Sequence, residues 1–129
     1  MLITKSINHI YLSEFFSLDE FQCPCCQCVK VHPQLLQKLK GVRNKIKKPI
    51  FITSGYRCSK HNSEVGGVKN SYHLLGMAVD IFVPEIPIAR LLQITREFKF
   101  QGIGFYPDRN FLHLDIRNTD QPVYWQGLL

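Results

Sequence analysis

No run in the chain approaches the roughly 20 apolar residues that a membrane-spanning helix needs. No apolar signal core stands near its start either: MLITKSINHIYLSEFF has one early lysine, then polar residues where such a core belongs. That segment reads as part of the fold, and the expected location of the chain as synthesised is the cytoplasm. Internal repeats, low-complexity tracts and linkers are also missing, so the 129 residues are expected to form one domain, 1–129. Acidic residues are few, 10 against 16 Lys and Arg, and the net charge is +6. A basic balance attracts polyanions, but the charges are spread out. The densest run, Lys38 to Lys48, lies on an amphipathic helix, where basic groups form a solvated face. Nucleic acid is therefore not an expected partner, and the chain is expected to act as a monomer.

What the chain does have is apolar mass: 45% hydrophobic and 12% aromatic residues, enough for a real core. Ser17-Leu18-Asp19-Glu20 has the form of a capping box and predicts a short helix or turn. Leu35, Leu36, Leu39, Val42 and Ile46 recur at helical spacing from His32 to Lys47, with Pro33 suited to the first turn and Pro49 as the stop. Ile50 to Thr53 reads as a strand, and residues 55–72, rich in Gly, Ser, Asn and Lys, as irregular chain. Met77 to Val83 is a strand, and Ile88, Leu91, Leu92, Ile94, Thr95 and Phe98 mark a second amphipathic helix. Gly102 to Tyr106 and Phe111 to Ile116 form a hairpin around Pro107–Asn110. The expected architecture is α+β: a small antiparallel sheet with helices packed on one side and a site on the sheet face.

Five cysteines are many for this length, and Cys23, Cys25, Cys26 and Cys28 fall within six residues, with Cys58 apart. An odd count without an export signal argues against a disulfide framework. Overlapping CxxC pairs can hold zinc, but compact tetrahedral sites usually draw thiolates from two separated knuckles. The expectation is reduced thiols, or one bridge from the cluster to Cys58.

The informative residues lie in Ser71–Asp80 and Phe111–Arg117. Asp80 stands inside an apolar strand, where a carboxylate costs several kcal/mol unless it is paired with a cation or bound to a metal. An arginine partner and a zinc ion are both consistent with that placement. Strand alternation puts His113, Asp115 and Arg117 on one face and Leu112, Leu114 and Ile116 on the other. Two histidines and one carboxylate leave a fourth zinc position for water, the pattern of catalytic zinc.

Ser54-Gly55-Tyr56-Arg57, His61-Asn62, Val65-Gly66-Gly67, Ser71-Tyr72-His73, Gly76, Ala78, Asp80 and His113 together resemble the D-alanyl-D-alanine carboxypeptidase family of zinc peptidases. That family includes phage L-alanyl-D-glutamate endolysins, and the likeness runs from about Phe16 to Trp125. The resemblance implies a Zn2+ site at His73, Asp80 and His113, and a peptidoglycan stem peptide with a D-amino acid near the cut as substrate. It implies that Arg57 binds the substrate carboxylate or steadies the oxyanion, a task suited to a guanidinium. Ser71 and Tyr106 are further substrate-binding candidates, and His61 is read as a structural hydrogen-bonding residue. Trp125 suits either the cleft wall or the core. Many relatives carry a general base three residues before the last histidine, where this chain has Asn110; others carry His two before, where it has Phe111. Asp115 is the preferred base and Asp108 the other candidate, while a role for Asp115 in orienting a ligand histidine stays open. A non-catalytic, zinc-bearing cell-wall or phage-structural module of the same fold is the alternative. Action on the wall would follow release from the cell, by lysis for a phage-encoded protein.

Overall fold

Apolar spacing sets the two longer helices. In the computed structural model, which describes residues 7–127, α1 spans Pro33–Ile46. His32 caps it by accepting the Gln34 amide at 3.1 Å, and Pro33 occupies the first turn, where a missing N–H is harmless. Leu35, Leu39 and Val42 form its buried stripe. Lys47, left-handed at φ 56°, ends the helix two residues before Pro49. The capping box forms as well: the Ser17 amide donates to the Glu20 carboxylate at 2.6 Å, and Leu18–Phe21 is a 3-10 turn. Phe16 and Phe21 enter the core beside it. Of the N-terminal segment read as part of the fold, residues 1–6 lie outside the described residues.

One sheet of five strands follows: β1 (Phe51–Ser54), β2 (Ala78–Phe82), β3 (Gly102–Tyr106), β4 (Phe111–Asp115) and β5 (Val123–Gln126). Their order is β1-β2-β4-β3-β5. The first three pairings are antiparallel, and the β3–β4 hairpin turns at Pro107–Arg109 as expected. The fold is α+β, but the sheet is mixed and not purely antiparallel, because β5 pairs with β3 in parallel. That strand escapes a sequence reading because it is a short edge strand, mostly exposed, with no alternation to reveal it. The segment 55–72 is also more ordered than expected. It holds α2 (Ser59–Glu64) and opens a 3-10 turn at Tyr72–Leu75. Ser-Lys-His-Asn-Ser-Glu has no apolar stripe; the buried Asn62, donating to the Val68 carbonyl at 2.8 Å, ties α2 down instead.

Alternation along the strands sorts the two faces of the sheet. Val79, Ile81, Ile103, Leu112 and Leu114 share one core cluster with Leu35, Leu39 and Val42 of α1 and Leu91 and Ile94 of α3 (Ile88–Arg96). Each fully buried side chain of this size stabilises the fold by roughly 1.5–3 kcal/mol. The opposite face carries a row of cross-strand partners: Ser54, Asp80, His113, Gly104 and Trp125. No helix among the described residues is long and apolar enough to cross a membrane.

Candidate active site

His73 reaches this face from the 3-10 turn. Ser71 caps that turn by accepting the His73 amide at 3.2 Å, and Gly76 closes it at φ 69°, a conformation that favours glycine. The imidazole is buried, with Nδ1 2.7 Å from the Gly55 carbonyl. A carbonyl can only accept, so Nδ1 carries the proton and Nε2 presents a lone pair. That Nε2 lies 3.3 Å from Asp80 Oδ1.

His113 meets the same oxygen from β4, with Nδ1 at 3.1 Å. Its Nε2 lies 2.7 Å from Asp115 Oδ2, so a proton held there leaves the Nδ1 lone pair facing Asp80. Burial alone would raise the pKa of Asp80, but the hydrogen bonds that His113 and His73 donate to it in their protonated forms outweigh burial and hold the carboxyl well below the usual range. Burial lowers the pKa of His113, while its bonds to Asp115 and Asp80 more than reverse this and raise it. One ligand atom from each of His73, Asp80 and His113 lies within 4.8 Å of the others. Zinc bonds of 2.0–2.1 Å at tetrahedral angles separate their donors by about 3.3 Å. The N···O separations of 3.3 and 3.1 Å fit that edge, and in their neutral forms both imidazoles offer a lone pair inward.

Asp115 is fully buried, at 0% exposure, and both of its oxygens are engaged. Arg117 donates to Oδ1 through Nε at 2.9 Å and to Oδ2 through Nη2 at 2.7 Å. Burial pushes its carboxyl up, but the Arg117 and His113 bonds prevail and hold it well below the usual range. Room for that carboxylate comes from Gly102 opposite, where an added Cβ would stand 2.3 Å from Asp115 Oδ1. Gly104 likewise leaves space for the Trp125 indole. The Arg117 guanidinium also lies over the rings of Tyr72 and Trp125, at 4.7 and 5.1 Å.

Arg57 is brought to the same centre, with three bonds already made. Nη2 donates to Asp80 Oδ2 at 3.2 Å, Nε to Ser54 Oγ at 2.9 Å, and Nη1 to Asn62 Oδ1 at 3.2 Å. The arginine partner and the metal-ligand reading of Asp80 therefore coexist, one on each carboxylate oxygen. A cleft of about 490 Å3 opens over the site, and Arg57, Ser71, Tyr106, Arg109 and Arg117 help to line it. Tyr106 stacks on Phe111, with centroids 4.5 Å apart, and its hydroxyl accepts the Trp125 indole N–H at 2.9 Å. Asp108 is exposed and does not line the cleft. Asp80 is the one carboxylate among the described lining residues. Sequence reasoning quoted Asn62 only as half of the His61-Asn62 pair and placed Arg117 on the right face, giving neither a role. Their roles are not visible in one dimension, because each depends on the fold turning its side chain onto a particular partner, Asn62 onto Arg57 and Val68 and Arg117 onto Asp115.

The chain is 29% identical over 110 residues to the probable peptidoglycan L,D-endopeptidase MepK of Haemophilus influenzae, covering 79% of this chain and 58% of that protein. It is 35% identical over 85 residues to the peptidoglycan L,D-endopeptidase MepK of Escherichia coli, covering 62% and 44%. To the zinc D-Ala-D-Ala carboxypeptidase of Streptomyces albus G it is 36% identical over 76 residues, covering 57% and 30%. The chain thus spans 58% or less of the length of these relatives. Residues 14–115, which hold all three candidate ligands, match the family model for Peptidase M15, and the chain belongs to that family.

Proposed function

We propose that the chain is a zinc-dependent peptidase that hydrolyses peptidoglycan stem peptides at a bond involving a D-amino acid. The observation that carries this reading is the convergence of His73, Asp80 and His113 on one point at the floor of a cleft. Membership of a peptidase family and the named activities of the relatives support it. The chemistry supplied by bound zinc is Lewis acidity, polarising the scissile carbonyl and acidifying the attacking water.

The chain's own residues hold and orient. Gly55 and Asp115 fix the tautomers of His73 and His113 through the nitrogens that face away from the ligand set. Arg57 holds Asp80 by its second oxygen and presents the rest of its guanidinium to the cleft, where a substrate carboxylate can share it. Arg109 adds positive charge to the lining, which suits the free carboxylates of stem peptides. The Tyr106 hydroxyl, already accepting from Trp125, keeps its own proton to donate to a substrate oxygen. For Asp115, a fully buried and doubly bonded carboxylate supports the orienting role over that of general base. The reading also carries synthesis in the cytoplasm, access to the wall on release, and action as a monomer.

Mass spectrometry of muropeptides incubated with the zinc-loaded protein tests the proposal. The expected result is a set of shortened stem peptides whose new ends identify the bond, whether terminal or internal. Intact muropeptides after prolonged incubation would favour the non-catalytic wall-binding alternative.

Zinc affinity should also depend on pH in a defined direction. The pKa of His113 is raised in the metal-free protein, so its Nδ1 is protonated below that value and must lose a proton to bind metal. Affinity at this site is therefore full above the raised pKa and falls by up to about tenfold per pH unit below it. Competition with a chromophoric chelator across that range measures the slope, and a flat profile would contradict the role of His113.

A further inference from the structure

The cysteines stand apart from the cleft lining, yet the fold collects four of them. Cys23, Cys25 and Cys26 lie on the loop between the Leu18–Phe21 turn and α1, and Cys58 caps α2. Their four Sγ atoms all lie within 4.8 Å of one another. Cys23 is 3.7 Å from both Cys25 and Cys58, and Cys25 is 3.2 Å from Cys58. A disulfide requires about 2.0 Å between sulfurs, and all five cysteines are free thiols. Four thiolates around one zinc, at 2.3 Å each, sit at the corners of a tetrahedron with edges of about 3.8 Å. The observed separations approach that edge and not a bridge.

The backbone supports the same arrangement. The Cys23 amide donates to the Cys28 carbonyl and the Gln27 amide to the Cys23 carbonyl, each at 2.8 Å, while Gln27 is left-handed at φ 61°. This closes residues 23–28 into a tight loop that brings three sulfurs together. On the facing side, the His61 amide donates to Cys58 Sγ at 3.4 Å, which fixes the position of that sulfur at the start of α2. The two segments are held in register by the Tyr56 amide, which donates to the Phe21 carbonyl at 2.8 Å. The sequence spacing had argued against a site because only one knuckle was visible. The fourth ligand comes from Cys58, more than 30 residues away.

We propose that Cys23, Cys25, Cys26 and Cys58 form a second metal site, a closed tetrathiolate centre for a zinc-class ion. It fastens the Cys23–Cys28 loop to the segment that carries Arg57. Soft thiolate ligands select such an ion, and four protein ligands leave no open position for catalysis. The site is structural.

Protein purified under reducing conditions with zinc present should contain two zinc ions per chain by elemental analysis. The variant lacking His73, Asp80 and His113 should retain one, and Cys23→Ser with Cys58→Ser should lose one while keeping the other. Where a variant does not fold, cobalt-loaded wild-type protein decides, because the cleft has no sulfur ligand. A sulfur-to-cobalt charge-transfer band then reports the cysteine site alone, whatever becomes of the peptidase reading. No such band, or a wild-type content of one zinc that vanishes with the His/Asp/His set, overturns the proposal. So does a native disulfide between Cys58 and the loop, found by mass spectrometry of the non-reduced protein.

Discussion

Replacing His73 with alanine should remove the cleft metal and lower kcat/KM on stem peptides by about 10³-fold or more, since without it the attacking water keeps its ordinary acidity and the carbonyl is not polarised. The imidazole offers the only ligand atom delivered from outside the sheet, and the remaining Asp80 and His113 hold zinc too weakly. Zinc content should fall by one ion per chain while any thiolate-bound ion stays. The variant also leaves the Gly55 carbonyl without its 2.7 Å partner, a loss of roughly 1–3 kcal/mol for a buried acceptor. Circular dichroism and denaturant unfolding should therefore show a folded but weaker protein. A folded variant that keeps both its cleft zinc and its turnover would dismiss His73 as a ligand.

The Asp115→Asn substitution separates the two roles open to that carboxylate. If it orients His113, the amide no longer holds the Nε2 proton with a charged acceptor, and zinc affinity falls about 10–100-fold. Activity should then drop at limiting zinc and recover substantially when zinc is saturating. If Asp115 is the base, zinc is retained and kcat falls by about 10²–10⁴-fold at any zinc concentration. The first outcome is expected, because both oxygens are bound and the residue has no exposure to the cleft. Stability should fall too. Arg117 would lose the charge it grips with two nitrogens at 2.7 and 2.9 Å, and breaking a buried pair of this kind costs roughly 3 kcal/mol. Zinc-independent loss of kcat would restore Asp115 to the role of base.

The contrast between Asp80 and Asp115 shows how far residues could be read directly. Asp80 interrupts an apolar strand, and a charge so placed demands a partner, which marks it in the sequence alone. Asp115 stands at the same alternation as His113, so its face was legible. Its burial was not, because that depends on Gly102 making room and Arg117 closing over it. Likewise, the apolar pattern of α1, α3, β2 and the β3–β4 hairpin was sufficient to place them, since the helices bury one repeating stripe and the strands are short apolar runs bounded by turn residues. β5 and α2 bury too little in a regular pattern to be seen that way.

By itself, then, the sequence determined the α+β class, the two main helices, the hairpin and the family resemblance, and it named the candidate ligands, because local periodicity and motif spacing are one-dimensional properties. Only the tertiary structure decided that β5 lies parallel to β3, that Arg57 and two imidazoles share the oxygens of Asp80, and that Asp115 is closed off from the cleft. It alone brought Cys58 to the Cys23–Cys26 sulfurs. Those facts rest on contacts between residues distant in the chain, whose distances are set by packing of the sheet and not by any local preference.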